Sequence, residues 1–496
     1  MHKLWSALLL SLFSTVACAA DEPTGVDAVI RGIFEPVANT IVPIVFAPIP
    51  GTPILFIVAW LAVASLICTL YFGFIQFRKF GLALDIVRGK YSDPSHAGEV
   101  SHFQALSTAL SGTVGLGNIA GVAVAISIGG PGATFWMIVM GLMGMATKFV
   151  ECTLGVKYRQ VHADGSVSGG PMYYLSAGLA ERGLAPLGKF LGVCAAVMVI
   201  FGAFGAGNLF QANQATAQLM NQFEVTEGAY LFGLGFAIAT GVVIIGGIKT
   251  IAKVTGVLVP LMAVIYLGAG VVILATNASQ VPAAISAIIE GAFSPAAGLG
   301  GILGVMIQGF KRAAFSNEAG FGSAPIAHSA VRTNHPTTEG LVALLEPFID
   351  TVIICTMTAL IVVVTGAYTQ SNLQGVEITS MAFNSALPGF DIVLTIAVVL
   401  FAYSTMLSWS YYGLKGWTYL FGMGRGKELA YKLLFCSFCV IGAAMSLGPV
   451  IDLSDASVFI MAFINVIGLY LLLPIVKREV NGFFAKIKSG EIKPRQ

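Results

Sequence analysis

Two short stretches hold the glycines and polar residues best suited to gripping a charged small molecule. One reads Ser111-Gly-Thr113-Val114-Gly115-Leu-Gly117-Asn118-Ile-Ala-Gly121. The other, about 200 residues later, reads Phe315-Ser316-Asn317-Glu318-Ala-Gly320-Phe-Gly322-Ser-Ala-Pro325. Val114 to Asn118 and Ala319 to Ser323 share one pattern: a small residue, Gly, a bulky apolar residue, Gly, then a polar one. Glycine disfavours a continuous helix, and both stretches lie in apolar runs, so each predicts a membrane helix broken part-way through. A break turns N–H groups toward an anion and carbonyl oxygens toward a cation. A small amino acid carries both charges on adjacent atoms and matches such a break.

The elements that must carry these stretches follow from composition. Of 496 residues, 56% are hydrophobic and only 10% charged, which describes an all-α polytopic membrane protein with the lipid bilayer as its surroundings. Runs of roughly 20 apolar residues predict about eleven spans, near 53–76, 104–128, 131–156, 187–220, 229–247, 251–276, 298–329, 339–367, 390–420, 428–448 and 455–476. The second and seventh are the broken ones. Lys and Arg collect in alternate connections, among them Arg78, Lys79, Arg88, Lys157, Arg159, Lys249, Arg332, Lys415 and Lys477 to Arg495, which assigns that side to the cytoplasm.

Residues 1–20 have the layout of a cleavable secretory signal peptide, a basic start, a short apolar run and small residues before Asp21. Cleavage would leave 21–52 as an external N-terminal segment, 53–76 as an extra first span, and 477–496 as a basic cytoplasmic tail. The ten remaining spans divide into 104–276 and 298–476, two sets of five that each begin with a broken helix. Five spans per set force the second to enter from the opposite side, which predicts a 5+5 inverted repeat. The membrane is then the cell inner membrane, with the mature N-terminus outside.

Gly-Thr-Val-Gly-Leu-Gly-Asn-Ile-Ala-Gly-Val from Gly112, Ser168-Gly-Gly-Pro171-Met-Tyr-Tyr and Phe-Ser-Asn-Glu-Ala-Gly-Phe-Gly-Ser-Ala-Pro from Phe315 resemble the alanine/glycine:cation symporter family over roughly 50–480. The resemblance implies a fold similar to the leucine transporter and uptake of alanine or glycine driven by sodium, with a proton as the alternative coupling ion. Serine or glutamine are alternative substrates. It also implies that Ser404 and Thr405 in the ninth span join carbonyls near Ser111 and Val114 around sodium. The leader and the external segment depart from the family pattern.

The backbone of Gly115, Gly117 and Asn118, with the Thr113 hydroxyl, is the expected seat of the substrate carboxylate. Ser316, Asn317, Gly320 and Gly322 are expected to face it. Glu318 coordinates sodium, carries a coupling proton, or neutralises Lys311 or Arg312 structurally. Gln211 and Asn208 share a helical face that lines either the substrate pocket or an external mouth, and Trp409 either caps the pocket or sits at the membrane interface. Lys148, Glu151 and Lys253 read as charges at cytoplasmic helix ends that reach for water. Six histidines without ligand spacing argue against an enzyme, paired inverted breaks suit alternating access better than a channel, and a net charge of +2 argues against nucleic acid as a partner. No feature of the sequence names an oligomeric partner.

Overall fold

The Ser101 side chain accepts the Gln104 N–H at 3.2 Å while the Gln104 side chain accepts the Ser101 N–H at 3.0 Å, a reciprocal cap that starts the first broken helix at His102. Such local rules build a mostly helical chain, seen in a computed structural model that describes residues 36–494 apart from 38, 94, 294–297, 371, 372 and 446. The expected signal peptide, 1–20, and the start of the expected 21–52 external segment lie outside the described residues.

Among the described residues, six helices are long and apolar enough to cross a membrane: Ala133–Lys157, Ala185–Gln222, Gly247–Thr276, Pro336–Thr365, Asp391–Phe421 and Leu447–Ser489. His102–Thr113 and Gly117–Gly129 form a seventh candidate, bent by 52° at its break. Phe56–Tyr71 and Ala229–Ile244 are shorter apolar helices, and Gly298–Asn317, Ala324–His328 and Arg425–Ala444 occupy the other expected segments.

Helices also occupy segments that the sequence reads as connections, among them Phe80–Val87 and Val376–Ala386. The connection expected at 277–297 contains the helix Val281–Ala292, whose two faces differ in burial and which the all-apolar criterion for a span does not detect. The last helix runs through Pro474 and on to Ser489, so the expected basic tail begins as helix.

Close approach of backbones sets the packing, as expected where lipid provides no hydrophobic drive between helices. A Cβ at Gly309 would lie 2.4 Å from the Ala133 carbonyl oxygen, and one at Gly340 would lie 2.0 Å from Thr153 Oγ1. Ala133–Lys157 is thereby pressed against the second broken helix and against Pro336–Thr365. On the basic face, Arg159 donates to the carbonyls of Ala97, Ser329, Val331 and Thr333 at 2.5–2.8 Å, tying the exit of the second broken helix to the approach to the first.

Candidate substrate and ion site

The first break begins where Val114 leaves the helix at ψ 85° and ends in a π-helical turn, Gly117–Gly121. Asn118 holds it in shape. Its Oδ1 accepts the Gly115 N–H at 2.9 Å, and its Nδ2 donates to Asp350 Oδ1 at 2.6 Å and to the Asp350 carbonyl at 3.2 Å. Gln211 reaches in from the Ala185–Gln222 helix, its Oε1 accepting the Leu116 N–H at 3.1 Å. Gly115 has no room for a side chain, since a Cβ there would lie 2.6 Å from Thr405 Oγ1.

In the second break Glu318 has φ +55°, followed by Gly320 at +97° and Gly322 at +83°. Left-handed backbone is cheap for glycine but rare for a residue with a side chain, so Glu318 is held there by its surroundings. Trp409 Nε1 donates to Glu318 Oε1 at 3.2 Å and Ser323 donates to Oε2. Glu151 accepts the Gly322 N–H at 2.8 Å, the Gly320 N–H at 3.3 Å and Asn465 Nδ2 at 2.6 Å. One buried carboxylate thus satisfies the amides that the break frees.

The two breaks meet. A Cβ at Gly117 would touch the Phe315 ring at 3.2 Å. Asp350 links the breaks, accepting from Asn118 on one side and from Ser316 Oγ at 2.8 Å on the other, with Thr351 Oγ1 at 2.7 Å. Asn317 donates to Thr351 Oγ1 at 3.0 Å. Trp409 links them again, its N–H shared between the Gly112 carbonyl at 3.2 Å and Glu318. Beside the first break the Asp391–Phe421 helix brings up oxygens: Ser111 Oγ donates to the Ser404 carbonyl at 2.5 Å and accepts from Ser408 Oγ at 3.0 Å.

A family model described as the sodium:alanine symporter family matches residues 41–496. The chain belongs to this family. A sodium/alanine symporter of Methanococcus maripaludis is 42% identical over 93% of this chain and 99% of its own length. A putative sodium/proton-dependent alanine carrier protein of Bacillus subtilis is 37% identical over 85% and 87%. A probable sodium/glutamine symporter of the same organism is 33% identical over 79% and 80%. The crystal structure of MhsT in complex with L-phenylalanine, 16% identical, superposes with a TM-score of 0.57 over 76% of this chain and 90% of that one, which establishes the leucine-transporter type of fold.

The geometry gathers most of the residues expected from the sequence of this symporter-family chain and gives each its partners. Gly115, Gly117, Asn118, Gln211, Ser316, Asn317, Gly320, Gly322, Glu318 and Trp409 line the facing breaks, with Trp409 buried rather than interfacial. Thr113 donates to the Ala109 and Leu110 carbonyls at 3.3 Å, and the Ser404 and Thr405 hydroxyls donate to the Phe401 carbonyl at 3.0 Å, bonds that leave their oxygen lone pairs free. Asn208 and Asn213 secure the Arg425–Ala444 region through the Phe435, Gly442 and Met445 carbonyls. Gln214 lines, with Asn213, a separate cavity of about 740 Å³.

Lys311 and Arg312, which Glu318 would neutralise in one of its three expected roles, are engaged elsewhere. Lys311 reaches Asp455 at 2.9 Å and Arg312 pairs with the same carboxylate, because both cations lie on the helical turns before the break and face Leu447–Ser489. Lys148 and Glu151 are fully buried and do not reach for water, whereas Lys253 is exposed. Lys148 ends a buried ionic chain: His102 Nδ1 to Glu339 at 2.5 Å, Glu339 to His328 Nδ1 at 2.8 Å, His328 Nε2 to Glu346 at 2.6 Å, Glu346 to Lys148 at 3.4 Å. Asp350, Glu346 and Asp455 were not singled out from the sequence. A carboxylate inside an apolar run is itself the signal that finds them.

Proposed function

We propose that this chain is a sodium-coupled symporter that brings small neutral amino acids, alanine or glycine, into the cell by alternating access. The observation that carries the reading is the meeting of the two helix breaks, each joined to the other through Asp350 and through the Trp409 N–H. A substrate seated between Gly115–Asn118 and Ser316–Gly322 would find amide donors for its carboxylate on one strand and carbonyl and hydroxyl oxygens for its ammonium on the other. Glycine at 115 and 117 keeps backbone accessible where any side chain would intrude on Thr405 or Phe315.

Sodium prefers a shell of hard oxygen donors. The Ser111 and Ser408 hydroxyls and the Ser404 carbonyl, next to the unwound Val114, supply such a set without a carboxylate. A second cation position is favoured by one observation: the fully buried Asp350 carboxylate receives only neutral donors, Asn118, Ser316 and Thr351, and forms no salt bridge among the described residues. In this reading the eleven helical segments are eleven spans arranged as one extra helix and a 5+5 inverted repeat, with the basic face in the cytoplasm. Sodium binding stabilises the facing breaks, which raises affinity for the amino acid, and the effect is reciprocal.

The test is uptake of labelled alanine by proteoliposomes containing the purified chain, with an inward sodium gradient compared against potassium and against a proton gradient alone. Accumulation above the external concentration with sodium only is expected. Accumulation with protons alone would replace sodium as the coupling ion. Failure to accumulate any small neutral amino acid by folded protein would overturn the reading.

A further inference from the structure

Away from the breaks, a cavity of about 410 Å³ opens where the end of the first helix meets the long C-terminal helix. Arg78, Lys79, Lys477 and Lys488 converge on it, against walls that include Phe72 and Phe484. Among the described residues none of these four cations forms a salt bridge. Carboxylates close to them in the chain are engaged by other lysines: Asp85 by Lys90 at 2.7 Å, Glu479 by Lys157 at 2.7 Å and Glu491 by Lys486 at 2.8 Å. Two of the ammonium groups rest instead on aromatic faces, Lys79 4.6 Å from the Phe484 ring centre and Lys477 5.4 Å from that of Phe72. The ring faces attract the cations but leave their charge uncompensated.

The surface beside this cavity is apolar. Leu70, Phe74 and Phe77 are 57%, 47% and 58% exposed, and the two phenylalanine rings stack at 6.4 Å. Phe74 takes the left-handed conformation at φ +57°, which stops Phe56–Tyr71 and starts Ile75–Arg78, so exposed rings and cations succeed each other within one turn. Orienting a membrane protein requires only that Lys and Arg be on one side of it. Convergence of four unpaired cations on one cavity, bordered by exposed rings, is a stronger condition, and it matches a ligand with a phosphodiester and two hydrocarbon chains.

We propose that this cavity binds the headgroup phosphate of an anionic phospholipid, with the acyl chains lying along Phe74 and Phe77. A zwitterionic choline headgroup has no net charge to offset the four cations and brings its own cation near them, so it binds more weakly.

Native mass spectrometry of the purified full chain in detergent tests this, titrating phosphatidylglycerol against phosphatidylcholine. Phosphatidylglycerol is expected to remain bound preferentially. Lys79→Gln combined with Lys477→Gln is expected to weaken its retention roughly 30-fold, and Lys488→Gln alone about fivefold, from the usual contribution of one near-membrane cation each. The pair Lys249→Gln and Lys253→Gln, equal in charge removed and exposed on another helix, is expected to leave retention unchanged, with thermal unfolding confirming that each variant is folded. Equal retention of the two lipids, an equal loss in the control pair, or no loss in either cavity variant would overturn the proposal. Full displacement of phosphatidylglycerol by millimolar inorganic phosphate would also overturn it, in favour of a soluble anion.

Discussion

Replacing Asn118 with Ala removes the side chain that shapes the first break and joins it to Asp350. The Gly115 N–H loses its acceptor at 2.9 Å and Asp350 Oδ1 its donor at 2.6 Å, while the Asp350 carbonyl loses a longer contact at 3.2 Å. Leaving a buried polar group unsatisfied costs about 1–3 kcal/mol. The Ser316 and Thr351 hydroxyls both donate to the other oxygen, Oδ2, so Oδ1 is left without a donor, its share belongs at the high end, and the total is about 4–6 kcal/mol. If about 1.4 kcal/mol of this shifts the balance between formed and unformed breaks, the sodium concentration for half-maximal alanine uptake rises about tenfold. The assay is a sodium titration of alanine uptake in proteoliposomes, paired with thermal unfolding in detergent. Asn118→Asp keeps an acceptor for Gly115 but sets a second carboxylate against Asp350, so impairment at least as large is expected. An Asn118→Ala protein with normal sodium dependence and normal unfolding temperature would refute the reasoning.

Gly115→Ala places a methyl 2.6 Å from Thr405 Oγ1 and is expected to reduce uptake at least tenfold; adding Thr405→Ala makes room and should restore part of it, and a double variant no better than the single one would show that the clash is not the cause. Ser408→Ala removes a hydroxyl 3.0 Å from Ser111 Oγ, and a sodium titration should show a five- to tenfold weaker sodium dependence with alanine uptake intact at saturating sodium. Lys148→Met leaves Glu346 with His328 as its one remaining partner in the chain and should destabilise the protein by about 3 kcal/mol, while Lys148→Met with Glu346→Gln should lose less, both read by thermal unfolding.

The breaks were legible because their chemistry is local. Two glycines around a bulky residue, with a polar residue after them, announce at 115–118 and 320–323 that helix cannot continue. The pairing of the breaks' side chains was not legible, because the partners are distant in sequence. Asn118 and Asp350 are 232 positions apart, and Glu151 and Asn465 are 314 apart. Proximity along the chain suggested Lys311 and Arg312 as partners of Glu318, whereas helical geometry turns them to Asp455. Lys148 and Glu151 looked like charges at a helix end for the same reason: only the tertiary structure reveals Glu346 and the freed amides of Gly320 and Gly322 waiting beside them. Thr113, Ser404 and Thr405 show the converse, since a hydroxyl in a membrane helix has an acceptor one turn back whether or not a ligand is near.

The buried chain from His102 to Lys148 has a mechanical consequence. It unites the start of the first broken helix, the last turn of the second, the beginning of Pro336–Thr365 and the Ala133–Lys157 helix. Separating any two of these would strand a charge away from water at about 3–5 kcal/mol, more than the roughly 2.3 kcal/mol that one sodium ion gains in crossing 100 mV. A movement that opens this side therefore costs least if these four parts travel as one block. In the proposed transport cycle the bending is then left to Val114–Gly117 and Glu318–Gly322, where the backbone has already left the helix, so that the glycines proposed to bare backbone for a ligand would also serve as the joints of the machine.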